Sequence, residues 1–191
     1  DGQVVEQAIN LLENQNIRFM RVHLQSPGSI GTAIAMSSEG KPYSRDIFGE
    51  GSPYVDAIEN ADKLLGQLID YLKKTGKWEN SVLIVTSDHG QSKAGWHPML
   101  DEDSWMTPLV FAGTGIARGR ELPYFEHTDL APTIARLLGV KAPNTGGGTG
   151  KAVQEIMEKT DATYYQPAQY IKTINQQIRQ YNLLYAQLVL V

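Results

Sequence analysis

The chain has 191 residues, which is enough for one sizeable hydrophobic core and short for two. Hydrophobic residues make up 41% and charged residues 20%, as is usual for a globular protein, and this composition argues against disorder. The formal net charge of −4 argues against a surface that binds nucleic acid, and no apolar run approaches the roughly 20 residues that span a bilayer. Cysteine is absent, which excludes disulfides and thiolate chemistry.

The first half of the chain predicts a helix, a strand, a loop and a longer helix. Apolar residues at helical spacing from Val4 to Leu12 predict an amphipathic helix, in a segment that lacks the pattern of a signal peptide. Residues 17–24, IRFMRVHL, are partly alternating and rich in β-branched or aromatic side chains, which predicts a strand. QSPGSIGT (25–32) predicts a loop, and residues 53–75 predict the longest helix of this half, closed by Gly76.

The second half predicts two strands and a helix around a polar loop. Residues 81–87 are apolar without strict alternation, which is typical of a parallel strand that is covered on both faces. The polar loop 88–106 leads to a second strand, PLVFAG (108–113), and a helix follows over 129–138, with Thr128 as its cap. This alternation favours an α/β domain with a mostly parallel sheet flanked by helices.

The last fifty residues have a different character. PNTGGGTGK (143–151) predicts a flexible connector, because Thr145 and Ala152 stand where a phosphate-binding loop needs glycine and a hydroxyl residue. An added C-terminal helix is predicted after Pro167, and we expect it, together with the connector, to lie outside the domain of residues 1–142. Its apolar seam is formed by Ile171, Ile174, Ile178, Tyr181, Tyr185 and Leu188. The seam could pair as a coiled coil, but its short length favours a helix that packs on its own domain.

Asp88 and His89 follow the predicted strand 81–87 directly. In parallel α/β sheets, ligands gather at the carboxyl ends of strands. A carboxylate beside an imidazole is a ligand pair used by zinc and other divalent ions, and Gly90 would let the chain turn so that both side chains converge. The alternative is an acid that caps a turn beside a histidine that is merely exposed.

Three stretches, taken together and in this order, resemble the alkaline phosphatase superfamily, in particular its sulfatase-like and phosphodiesterase-like branch. They are IENADKLLGQLIDYLKKTGKWENSVLIVTSDHG (58–90), TPLVFAGTGIARG (107–119) and EHTDLAPTIARLLGV (126–140). The resemblance implies an alkaline-phosphatase-like α/β fold and metal-dependent hydrolysis of phosphate or sulfate esters. It also implies that residue 1 corresponds to the middle of such a domain, and that the family's nucleophile lies upstream of the residues that align.

The resemblance assigns roles to four residues. Asp88 and His89 are expected to bind one divalent ion, and His127 a second; zinc is the expected metal, with calcium or manganese as alternatives. His97 is expected near the substrate, as a general acid or as a contact to an anionic oxygen. Its alternative is a structural histidine stacked beside Trp96.

One departure from the family pattern leaves several functions open. Members with two metals carry an Asp and a His where this chain has Gly28 and Thr32, and His23 is expected to pack in the preceding strand rather than replace them. The first hypothesis is a hydrolase of small anionic esters, whose 191 residues seen here would be inactive alone. The second is a binding or scaffold protein with a decayed site, and a sugar-phosphate mutase is the least favoured. Analogy with sulfatase-like relatives favours a periplasmic or secreted location.

Overall fold

A computed structural model of the chain describes residues 1–98, 100–122, 125–142, 150–159 and 168–189. The first of two compact units combines residues 1–80 with 89–107 and contains the helices α1 (Gly2–Asn14), α2 (Ser26–Ser37) and α3 (Pro53–Lys74), with two short 3₁₀ helices, Lys77–Asn80 and Glu102–Ser104. The second unit combines residues 81–88 with the described residues from 108 onwards. It contains the strands β1 (Val82–Thr86) and β2 (Leu109–Gly113) and the helices α4 (His127–Leu137) and α5 (Ala168–Val189). None of the described helices is long and apolar enough to cross a membrane.

Helix α3 supplies most of the core of the first unit. The Ser52 hydroxyl accepts the backbone N–H of Tyr54 at 3.2 Å and caps the helix start, where Pro53 has the backbone angle that a first turn needs. Gly76 adopts a φ of 70° just beyond the helix end, a conformation that glycine reaches without strain. The helix predicted over 53–75 is therefore confirmed. Three buried leucines of α3 pack with Val5 of α1, namely Leu64, Leu68 and Leu72.

Residues 17–24, which were predicted to form a strand, do not form one. The half-buried side chains of Met20, Val22 and Leu24 alternate with exposed residues, and two of them, Val22 and Leu24, pack against the core of α1 and α3. The partial alternation of apolar residues in IRFMRVHL therefore correctly predicted alternating burial. No strand in the described part of the chain pairs with this segment, and without a partner to complete its backbone hydrogen bonds a segment does not form a sheet.

The predicted loop QSPGSIGT is wrong, because most of it forms the first turns of α2. The Asp1 carboxylate accepts the backbone N–H groups of Gln25 and Ser26 at 2.9 and 3.1 Å and so caps the helix from a distant part of the chain. Pro27 lies in the first turn, where a missing N–H has no cost. The residues that favour loops are the same ones that favour helix starts, so composition did not separate the two.

The described sheet of the second unit is antiparallel, and a parallel sheet is not shown. β1 pairs with β2 in the register Val82 to Gly113 and Thr86 to Leu109. Every residue of β1 is half-buried, so its apolar run correctly indicated a covered strand. An apolar run gives no information on strand direction, however, and direction depends on how the long segment between the strands returns the chain.

Helix α4 begins two residues before the predicted start, with Glu126 as its N-cap in place of Thr128. The Asp129 carboxylate accepts the backbone N–H of Glu126 at 3.1 Å and that of Lys151 at 2.8 Å, so the last residue of the glycine-rich stretch is hydrogen-bonded to this helix. Most of that stretch, 143–149, lies outside the described residues. Helix α5 confirms that a helix follows Pro167, and its place outside the domain of residues 1–142 stays a prediction. The described members of its seam include four that are exposed: Ile174, Tyr181, Tyr185 and Leu188.

Candidate active site

The end of β1 and the start of α4 meet in the second unit. Ser87 and Asp88 follow the last strand residue, and the Asp88 side chain is exposed. The Nε2 atom of His127, the first residue of α4, lies 2.7 Å from the Ser87 carbonyl oxygen. A carbonyl oxygen can only accept, so Nε2 carries the proton, and in the neutral ring Nδ1 is the nitrogen that can bind a metal or accept a hydrogen bond.

The histidines that follow lie together in the first unit. The ring centroids of His89 and His97 are 4.4 Å apart, and the His97 ring stacks on Trp96 at 5.4 Å with an interplanar angle of 9°. His89 Nδ1 lies 2.7 Å from the Gly90 carbonyl oxygen, to which it donates. All three rings are exposed. His97 thus has the stacking that its structural alternative requires, and it also lies beside one of the expected metal ligands.

Gly90 is required here by space rather than by its backbone angles. Its φ is not in the left-handed region, but a Cβ at this position would collide with the carbonyl oxygens of Asp103 and Met106. The Gly90 N–H donates to the Ser104 carbonyl at 2.8 Å, and this hydrogen bond keeps the two backbone segments close together. The residue after His89 is therefore held against the 3₁₀ helix Glu102–Ser104.

The loop between His89 and His97 is also held by hydrogen bonds to residues 46 and 47. The Ile47 N–H donates to the Lys93 carbonyl at 2.8 Å, and the Lys93 ammonium lies 3.0 Å from the Asp46 carboxylate. The hydrogen bond from Lys93 lowers the pKa of Asp46 below its ordinary value of 3.8. Within the loop, the Ser92 N–H donates to the Trp96 carbonyl at 2.7 Å.

Comparison with known proteins supplies the family. A family model described as sulfatase matches residues 4–140, which is more than half of the chain. The chain belongs to the sulfatase family. The resemblance inferred from TSDHG and its neighbouring stretches is therefore confirmed.

Several curated relatives of this sulfatase-family chain are enzymes by name. PehA of Trinickia caryophylli, a multifunctional alkaline phosphatase superfamily protein, is 34% identical over 103 residues, which are 50% of this chain and 20% of the relative. The choline-sulfatase of Rhizobium meliloti is 35% identical over 91 residues, 46% of this chain and 18% of the relative. The N-acetylglucosamine-6-O-sulfatase of Bacteroides thetaiotaomicron is 29% identical over 150 residues, 75% of this chain and 26% of the relative. The chain thus spans about a fifth to a quarter of the length of these relatives.

The described residues of this sulfatase-family chain do not group into a set of metal ligands. Across the part of the chain that the structure describes, no three His, Asp or Glu side chains come close enough together to hold a metal ion. Gly28 and Thr32 lie on helix α2 and offer neither a carboxylate nor an imidazole. His23, expected to be packed in a strand, is exposed. Asp88 and His89 have the right donor chemistry, but a divalent ion needs more ligands than these two.

Proposed function

We propose that the protein to which this chain belongs hydrolyses sulfate esters of small molecules, with phosphate esters as the alternative substrates. The observation that carries the proposal is the contact of His127 with the carbonyl of Ser87, which brings the start of α4 to the residue before Asp88. Family membership and the relatives named as sulfatases support the choice of sulfate. The relative named as a multifunctional member of the alkaline phosphatase superfamily supports keeping phosphate as the alternative.

Two of the four expected site residues would act on the substrate. When the sulfur–oxygen ester bond breaks, the departing alkoxide or phenoxide needs a proton, and the exposed His97 imidazole is the group proposed to donate it. In its protonated form His97 would also attract the anionic oxygens of the ester. His127 is proposed to contact an anionic oxygen of the substrate, or a weakly bound second ion, through Nδ1, because its Nε2 donates to Ser87. The nucleophile is proposed to lie outside the residues described.

A divalent ion is proposed as the cofactor, with zinc preferred and calcium or manganese as alternatives. Asp88 and His89 would be two of its ligands, and the remaining ligands would come from residues outside those described. Such an ion, when bound, would neutralise charge on the non-bridging oxygens of the ester. By analogy with the family, we also propose a periplasmic or secreted location.

The second candidate function is binding or scaffolding by a member whose site has decayed. Gly28 and Thr32 favour it, because loss of a carboxylate and an imidazole from one metal site sharply weakens binding. The two candidates differ in what the purified full-length protein should do with a nitrophenyl sulfate. The hydrolase proposal expects turnover, and the scaffold proposal expects none.

The matched experiment compares two histidine variants of the full-length protein. His97→Gln should lower kcat/KM about 100-fold for an alkyl sulfate, whose alkoxide needs a proton in order to leave, within the range that a general acid contributes. The effect on nitrophenyl sulfate should be smaller, because nitrophenoxide leaves without a proton. His23→Gln changes another exposed histidine and should leave kcat/KM unchanged. Equal rates for His97→Gln and the unaltered protein would remove His97 from the mechanism. Faster turnover of nitrophenyl phosphate than of the sulfate would favour the alternative substrate class.

A further inference from the structure

One face of helix α2 consists of small residues that let the histidine-bearing loop approach its backbone. A Cβ added at the buried Gly31 would collide with the side-chain amide of Gln91, and one added at Gly95 would collide with the Gly31 carbonyl oxygen. Gly95 also has a φ of 85°, which side chains other than glycine rarely adopt. The loop and the helix therefore touch through two glycines, and nothing larger fits at either position.

Gln91 connects this helix face to the far side of the loop. Its Nε2 donates to the Gly28 carbonyl oxygen at 3.2 Å and to the Gly95 carbonyl oxygen at 3.1 Å. A side-chain amide has two N–H donors, and both donate here. A helix carbonyl oxygen has two lone pairs, so the Gly28 carbonyl can accept from Gln91 in addition to its bond within the helix. Glutamate at neutral pH could not do this, because its carboxylate only accepts.

The loop that Gln91 fastens carries His89 at one end and His97 at the other. Both rings are exposed, so no surrounding core fixes their separation of 4.4 Å. Their relative position depends instead on the backbone of the loop, which Gly90 and Lys93 also bond to other segments, and the Gln91 side chain bonds this backbone to α2. Removing that connection should let the two rings separate.

We propose that Gln91 is a positioning residue, which holds His97 beside His89 by docking their loop on the glycine face of α2. This assigns a use to Gly28, the position at which two-metal relatives were expected to carry a ligand: its carbonyl anchors Gln91. The geometric part of the proposal stands alone, whereas the kinetic part rests on the proposed hydrolase function.

The geometric part is tested by NMR of the full-length protein labelled at histidine alone. Cross-peaks between the rings of His89 and His97 are expected, assigned by loss of signals in His89→Gln and His97→Gln. Gln91→Ala and Gln91→Glu should abolish these cross-peaks at neutral pH, because neither side chain can donate to the two carbonyls. Gln91→Glu keeps the side-chain size, so a loss in both variants is not due to a cavity. Cross-peaks that persist in both would overturn the proposal.

A second pair of variants tests the contact of Gln91 with helix α2 by changing the helix instead of the glutamine. Gly31→Ala should displace the Gln91 amide and also abolish the cross-peaks. Gly66→Ala is the control, because Gly66 also lies inside a helix but a Cβ there meets nothing within 4 Å. Both changes raise helix propensity, so a difference between them reports the contact with Gln91. Intact cross-peaks in Gly31→Ala would contradict the docking.

The kinetic part is tested by a double-mutant cycle on sulfate-ester hydrolysis. Gln91→Ala should lower kcat/KM roughly 10- to 100-fold, as loss of an orienting partner does, but should add little in the His97→Gln background. Gln67→Ala, an exposed glutamine on α3, should have no effect. Independent reductions that multiply in the double variant would show that Gln91 does not act through His97. Loss of cross-peaks in a protein without hydrolysis would contradict the proposed function and leave the positioning role supported.

Discussion

At the scale of single residues, the histidine-bearing loop depends on close backbone approaches that larger residues would block. Gly90→Ala should destabilise the protein by about 1–3 kcal/mol, because a Cβ would collide with the carbonyls of Asp103 and Met106. Gly66→Ala is the matched control and should be neutral or slightly stabilising. Urea unfolding of the full-length protein measures both free energies, and equal values for the two variants would contradict the crowding inferred around Gly90.

The ion pair of Asp46 with Lys93 makes a prediction for pH. The hydrogen bond from Lys93 lowers the pKa of Asp46 in the folded protein, so the folded state releases this proton more readily than the unfolded chain does. The resulting stabilisation is present above the ordinary pKa of 3.8 and is lost as the pH falls through the lower, folded value. Melting temperatures measured from pH 5 down to pH 2 should therefore fall less steeply for Asp46→Asn than for the unaltered protein. Parallel curves would mean that the pair adds no stability, the usual result for an exposed pair without a fixed geometry.

At the scale of secondary-structure elements, helix α3 carries apolar residues on both its buried and its exposed sides, and their substitution should have very different effects on stability. Leu68→Ala should cost about 2–5 kcal/mol, because the leucine is only 8% exposed and packs with Val5. Ile58→Ala on the same helix should cost far less, because Ile58 is 42% exposed. The difference between the two free energies of unfolding is the measured quantity. Equal losses would contradict the orientation of the helix.

The elements that could be predicted from the sequence are those with a long or self-contained signal. Helix α3 has a complete apolar stripe and a proline and a glycine at its ends, and β1 and β2 are short apolar runs between polar loops. Residues 17–24 and 25–32 were assigned wrongly because their state depends on distant residues. The first lacks a strand partner among the described residues, and the second is capped by Asp1. Strand direction likewise could not be read from an apolar run.

The four candidate site residues stay predictions, chosen for the chemistry of their side chains. Asp88, His89, His97 and His127 have side chains with distinctive chemistry and lie in recognisable stretches, so the sequence pointed to them. Gln91 was missed, because a glutamine in a polar loop carries no signal of its own. The sequence feature that could have indicated Gln91 is the pair Gly28 and Gly31, because residues three apart on a helix lie on the same face and glycines leave that face without side chains. That sign became informative only once the segment was known to be a helix rather than a loop.

At the scale of the whole molecule, the chain combines a sulfatase-family match with a partial set of expected ligands. The match covers residues 4–140, whereas the chain spans about a fifth to a quarter of the relatives' length. Asp88 and His89 supply two candidate ligands, and the positions of two more hold Gly28 and Thr32. We propose that the full-length protein binds a divalent ion through Asp88 and His89 and uses it to hydrolyse sulfate esters.

The measurement that tests this claim most directly is metal content and nitrophenyl sulfate turnover on the same purified samples of full-length protein. We predict a divalent metal bound in near-stoichiometric amount to the unaltered protein, with Asp88→Ala and His89→Ala each losing metal and at least about tenfold in kcat/KM. His23→Ala should keep both. A protein without tightly bound metal and without turnover, or variants at Asp88 and His89 that retain both properties, would contradict the claim.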